Sequence, residues 1–131
     1  MIFLDSTVLI DYFNGKTNWQ VEKLESILGK EIAVIGDYVL TEVLQGFRSD
    51  TEFQKAKTIL LSFPCFDIAG KEIAIQSAKN FRYLRKKGIT VRKTIDVIIA
   101  TFCIVNDFTL LHNDKDFIPF ENHLKLKVCK K

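Results

Sequence analysis

Short apolar runs and helical stripes alternate along this chain, and that alternation restricts its fold more than any other feature. Ile2-Phe3-Leu4, Ile32-Ala33-Val34-Ile35, Cys65-Phe66-Asp67-Ile68, Thr109-Leu110-Leu111 and Leu126-Lys127-Val128 each have the length and content of a strand. Between them, apolar residues recur with a helical period. Val21, Leu24, Ile27 and Leu28 make one stripe; Val39, Val43, Leu44 and Phe47, with Asp37 as N-cap, make a second; Phe53, Ala56, Ile59 and Leu60 make a third. Ala74, Ala78, Phe81 and Leu84 make a fourth, on a helix that Gly88 can end. The segment from Thr94 to Asn106 is apolar nearly all round and is expected to be buried on most sides. Strands separated by helical patterns of about 10 to 15 residues predict a parallel sheet with helices on both faces. The expectation is therefore a three-layer α/β/α fold with a central, mainly parallel, roughly five-stranded sheet, residues 1–131 forming a single domain. Pro64 and Pro119 are assigned to connections.

Several classes are excluded at this level. No apolar run approaches the ~18 to 20 residues that span a bilayer; Val97 to Val105 is the longest and contains Thr101. The start, Met-Ile-Phe-Leu-Asp, has no basic region ahead of its apolar residues, so a cytoplasmic protein with no membrane association is expected. Cys65, Cys103 and Cys129 are widely spaced and include no Cys-x-x-Cys pair, which reads as three small core residues and not as a zinc or redox site.

The net charge of +3 conceals a strong asymmetry. Lys79, Arg82, Arg85, Lys86, Lys87, Arg92 and Lys93 form a block of +7 with no acid among them; residues 125–131 carry +4, and the remaining chain carries −8. Cations clustered beside an acidic body suit an anionic partner such as a nucleic acid, whereas a merely solvated helix face and frayed tail would need no partner. Tyr83 is the better candidate for stacking on a base; Phe81 belongs with the core stripe.

Most of the acids read as surface charge, but five do not. Asp5 follows the first strand and so stands at its carboxyl end, where open α/β sheets build their sites; a lone Asp there also caps helices. Glu42 lies between Leu40 and Leu44 on a largely apolar segment, where an ionised group needs a partner or a metal. Asp96 is the only charged side chain between Lys93 and Asp107, in the first turn of the most apolar helix; a favourable interaction with that helix end would explain it without any site. Asp114 and Asp116 follow the strand Thr109-Leu111. Carboxylates gathered from separate elements repel unless a divalent ion neutralises them, and all-oxygen ligation selects Mg²⁺ or Mn²⁺. Beside a cationic block, that chemistry suits phosphodiester hydrolysis.

Four segments in this order resemble the PIN-domain ribonucleases: Ile2-Phe-Leu-Asp5-Ser-Thr-Val-Leu-Ile-Asp-Tyr-Phe13, Thr41-Glu42-Val-Leu-Gln-Gly46, Thr94-Ile-Asp96-Val-Ile-Ile-Ala100 and Leu111-His-Asn-Asp114-Lys-Asp116-Phe117. Within that family the chain is most similar to the VapC toxins of type II toxin-antitoxin pairs. The resemblance implies that Asp5, Glu42, Asp96 and Asp114 are the catalytic, metal-binding quartet, with Asp116 as a fifth carboxylate. Ser6 and Thr7 would support the metal site, Thr7 as the closer contact. It also implies cleavage of RNA, usually transfer or ribosomal RNA, with Mg²⁺ or Mn²⁺, leaving a 3′-hydroxyl and a 5′-phosphate. The implied partners are the RNA itself, held by Arg82, Arg85, Lys86, Lys87, Arg92 and Lys93, a cognate VapB-type antitoxin, and a second copy of the chain in a homodimer. His112 stands where many members have Thr or Ser and reads as a supporting residue, not a ligand.

Rival classes fit less well. A phosphohydrolase with an Asp nucleophile wants a second Asp two residues later, where this chain has Thr7. A phosphate-accepting receiver domain wants paired acids after the first strand, another Asp ending the third and a Lys after the fifth, whereas this chain has only isolated acids. A PIN nuclease in RNA processing, and a degenerate RNA-binding relative, remain as alternatives. The basic block can be tested directly. Replacing Arg85→Glu together with Lys86→Glu should weaken RNA binding and flatten its salt dependence by ~0.7 in slope for each single-strand phosphate that the variant no longer neutralises. An unchanged slope would return the block to a solvated face.

Overall fold

The structure is a computed structural model describing residues 1–131. β1 (Ile2–Leu4) leads into α1 (Ser6–Phe13) and α2 (Trp19–Ile27); β2 (Ala33–Gly36) into α3 (Asp37–Leu44) and α4 (Asp50–Leu60). β3 (Cys65–Phe66) is followed by α5 (Lys71–Lys86) and α6 (Thr94–Asn106), β4 (Thr109–Leu111) by a 3₁₀ turn (Lys115–Phe117) and α7 (Ile118–Leu124), and β5 (Lys127–Val128) closes the set. The five strands form one sheet in the order β3-β2-β1-β4-β5, with every neighbouring pair parallel. Helices cover both faces, as the alternating pattern predicts for a three-layer α/β/α fold. No helix is long and apolar enough to cross a membrane.

This order places the site. The chain moves outward from β1 to β3, then returns through α5 and α6 to lay β4 on the other side of β1. The order therefore reverses between β1 and β4, and ligand sites in open α/β sheets form at the carboxyl ends of strands beside such a reversal. β1 is buried along its whole length, with Phe3 in register with Val34 on one side and Leu110 on the other. Phe3, Phe66, Phe102 and Phe108 pack in a chain with ring centroids 5.6–5.9 Å apart, joining β1, β3 and α6.

Several expectations are corrected. The buried face of α5 is Ser77, Asn80 and Leu84, with Ile73 and Phe81 half-buried, while Ala74 and Ala78 face solvent. The stripe is rotated because its centre is polar: Asn80 Nδ2 donates to Thr101 Oγ1 of α6 at 3.0 Å inside the interface, and Gln76 Nε2 donates to Asn80 Oδ1 at 3.0 Å. Pro119 is in the first turn of α7 and not in a connection; its missing N–H is unneeded there. Of the cysteines only Cys103 is buried, because Cys65 is on the two-residue edge strand β3 and Cys129 follows the opposite edge. Asp37 is the first residue of α3 and Gly36 takes the cap position; Asp37 Oδ1 accepts from the N–H groups of Tyr38 at 2.9 Å and Ile68 at 3.3 Å.

Gly36 is required at the end of β2 by close approach. A Cβ there would meet Ile68 Cγ2 at 2.7 Å and Phe3 Cζ at 2.9 Å, both within the core. Gly36→Ala should lower stability by about 1 to 3 kcal/mol through overpacking, read from the denaturant midpoint. An unchanged midpoint would show that Phe3 and Ile68 can give way without cost.

Candidate functional site

Asp5 directly follows β1 and occupies the N-cap position of α1 in extended backbone. Its Oδ2 accepts from the Thr7 N–H at 3.2 Å and from Thr7 Oγ1 at 2.6 Å. The capping role accounts for only one oxygen, because the second, Oδ1, is buried with no partner. The Asp5 N–H donates to the Leu111 carbonyl at 3.0 Å, which fastens this corner to the end of β4. Glu42 on α3 and Asp96 on α6 each also bury one oxygen without a partner, Oε1 and Oδ2 respectively. Asp96 is only 5% exposed, although it lies in the first turn of its helix, where a carboxylate serving the helix end alone would stay in water.

Asp114 is the N-cap of the 3₁₀ turn, its Oδ1 accepting from the Asp116 N–H at 2.9 Å. Asp96, Asp114 and Asp116 each offer an oxygen within 4.8 Å of the others, a set that could hold a metal ion. Asp5 and Glu42 lie outside that tight set, yet their charges act on Asp96. Burial, reinforced by the charges of Asp5 and Asp114, pushes Asp96 up to about 7 against the opposing Lys93. Burial likewise pushes Asp5 up to about 6 despite its Thr7 bonds, with Glu42 adding to the rise. Burial also raises Glu42, opposed by the Ser6 hydroxyl and by Lys93.

Residues around the carboxylates hold them in place. Thr7 Oγ1 both donates to Asp5 and accepts from the Asn113 N–H at 2.9 Å, linking β1 to the loop after β4. The Asn113 side chain accepts from Gln20 Nε2 at 3.1 Å and donates to Asp11 Oδ2 at 3.1 Å, so α1 and α2 brace that loop. His112 Nδ1 accepts from the Asp114 N–H at 3.1 Å, and its ring sits 4.9 Å from that of Phe117. Burial lowers its pKa, and the ring is fixed within the turn by the Asp114 N–H and Phe117. The pattern of the sequence carries no signal for Gln20 or Asp11, which sit among ordinary helix residues and meet Asn113 only through the fold.

The cations divide. Arg82, Arg85 and Lys86 are exposed on α5 and Lys87 at its C-cap, with Arg85 5.5 Å from the Phe81 ring centroid and Lys87 5.1 Å from that of Tyr83. Arg92 is also exposed. Lys93 is among the acids, its Nζ 3.6 Å from Asp114 Oδ2. Five carboxylates, three with orphaned buried oxygens, against one ammonium fit a hard divalent cation, since buried charge without a partner is otherwise costly.

A family model described as PIN domain matches residues 2–121. The VapC ribonuclease Mb1587 of Mycobacterium bovis is 24% identical over 119 residues, 89% of each chain. Ribonuclease VapC1 of Methanocaldococcus jannaschii is 26% identical over 132 residues, covering 99% of this chain and 88% of that one. Among solved structures, VapBC2 from Rickettsia felis bound to a DNA fragment from its promoter shares the fold with a TM-score of 0.75 at 21% identity, covering 98% of both chains.

The raised carboxylates set a pH dependence. Between about pH 4 and 7 the folded chain retains protons on Asp5 and Asp96 that the unfolded chain has released. For these groups, stability of the metal-free protein therefore falls as pH rises through that window. Asp96→Asn should raise metal-free stability at pH 7.5 by about 1 to 3 kcal/mol and flatten the decline, measured by thermal unfolding in EDTA at several pH values. A loss of stability at neutral pH would contradict this.

Proposed function

The chain belongs to the PIN-domain family, and we propose that it is the ribonuclease toxin of a VapBC-type pair, a metal-dependent endoribonuclease hydrolysing RNA phosphodiester bonds. The observation that carries this reading is the set of buried, unpartnered oxygens on Asp5, Glu42 and Asp96, gathered beside Asp114 where the strand order reverses. Asp5, Glu42, Asp96 and Asp114, with Asp116, would hold Mg²⁺ or Mn²⁺. When bound, such an ion would supply Lewis acidity toward a phosphoryl oxygen and make a nearby water more acidic.

The rest of the catalytic apparatus is the chain's own. Thr7 fixes Asp5 in one rotamer, so its free oxygen is held ready without reorganisation. His112 and the Asp114 cap fix the 3₁₀ turn that presents Asp114 and Asp116. The cations of α5 bind the phosphate backbone, and exposed Tyr83 stacks on a base of an unpaired strand. Single-stranded or looped RNA fits these contacts better than a duplex, whose bases are already stacked and whose deep major groove excludes side chains.

A VapB-type partner is supported by relatives that carry the names VapC and VapBC2 and by a cleft of this molecule. A cavity of about 710 Å³ runs between α1, α3 and α4, walled by Ile10, Phe13, Val43, Phe47 and Ile59, with Glu42 also in its lining. An apolar peptide lying there could place a basic side chain against the carboxylates. Such a peptide would meet Arg48 and Lys55 with acidic residues.

The activity has a direct test. Purified protein should cleave single-stranded RNA in Mg²⁺ or Mn²⁺ and stop in EDTA, and Asp5→Asn and Asp96→Asn should each lower the rate at least about a hundredfold while remaining folded. Cleavage that persists in EDTA and in both variants would defeat the assignment.

A further inference from the structure

Lys93 is the one cation of the 79–93 block that forms an ion pair, and its partner is Asp114 of the acidic set. It precedes α6 directly, three residues before Asp96, and also lies within electrostatic reach of Asp96, Asp116 and Glu42. We propose that Lys93 is a built-in counter-ion of the metal site, a positioning residue whose ammonium competes with the divalent cation for Asp96 and Asp114 and so sets the ion concentration at which the site fills. This rests on the metal-binding reading above.

Three observations carry it. The pair is loose: 3.6 Å is beyond a hydrogen-bond distance, and the Lys93 side chain is 61% exposed, so the ammonium is free to leave on its flexible stem. The pair is insufficient: with Lys93 in place, Asp96 Oδ2 is still buried and unpartnered, and one positive charge faces several carboxylates. The pair is also incompatible with full occupancy of the same oxygens, since a dication and an ammonium within a few ångströms repel each other. Lys93 keeps its charge throughout, held up by Asp96 and Asp114, so the contest is one of charge and position and not of protonation. Its consequence is a protein that partly neutralises itself when the ion is scarce.

The test is calorimetric titration of Mn²⁺ alone into the full chain, without RNA. Lys93→Gln should bind Mn²⁺ about three- to tenfold more tightly than wild type, the scale of one partly screened charge at a solvent-facing rim. Lys93→Arg, which retains the cation, should return to within about twofold of wild type, and so should Lys57→Gln, which removes an exposed charge on α4. Unchanged or weaker binding by Lys93→Gln would overturn the counter-ion role while leaving the metal site intact. Equal tightening by Lys57→Gln would overturn it too, reducing the effect to net charge. If wild type takes up no Mn²⁺, the metal site itself falls and the counter-ion role falls with it.

Discussion

Negative charge that the protein neutralises only in part governs the carboxyl end of the sheet. Asp5, Glu42 and Asp96 come from the end of β1, from α3 and from α6, far apart in the chain, and each leaves an oxygen buried without a hydrogen bond. The core packing makes this possible. β1 is enclosed on both sides, so the residue following it has little access to water, and the bond from the Asp5 N–H to Leu111 sets β4 and its acidic turn alongside. A group so placed is costly as a structural feature unless it is protonated or paired with a cation, which is what the proposed metal would provide.

The surrounding polar contacts keep that arrangement rigid. Thr7 ties Asp5 to the backbone of Asn113, and Asn113 is tied in turn to Gln20 and Asp11, so two helices and two strand ends share one network. On the other side the Asn80–Thr101 bond fixes the register of the basic helix α5 against α6, which carries Asp96. A polar pair inside an apolar interface stabilises less than good packing would, but it selects one alignment. Cationic helix and acidic site are thereby held in a constant relation, which the proposed nuclease would need to hold a strand over its reactive centre.

The fold is largely legible in the amino-acid order. Ile2-Leu4 and Thr109-Leu111 stand as strands with the limits that their composition indicates, and the long apolar helix begins at Thr94 and ends at Asn106. Pattern and structure part where polar residues replace apolar ones or where an element is too short to show a period. Ser77 and Asn80 hide the true face of α5, and α7, seven residues long with Pro119 in its first turn, has the look of a connection. Asp5, Glu42, Asp96 and Asp114 stand out because acids at strand ends or in apolar helices are expensive. Their closeness to one another, and the bracing by Gln20, Asp11 and Asn113, depend on strand order, which no local pattern encodes. Lys93 reads as part of the basic block because its neighbours in sequence are basic; only the fold turns it toward Asp114.

The most direct test of the central claim is anomalous diffraction at the manganese edge from crystals of the full chain grown with Mn²⁺. The expected result is a strong peak bound by oxygens of Asp96 and Asp114, with the free oxygen of Asp5 turned toward it. No peak at the carboxyl ends of β1 and β4, with Asp5 Oδ1 and Asp96 Oδ2 satisfied instead by hydrogen bonds, would contradict it.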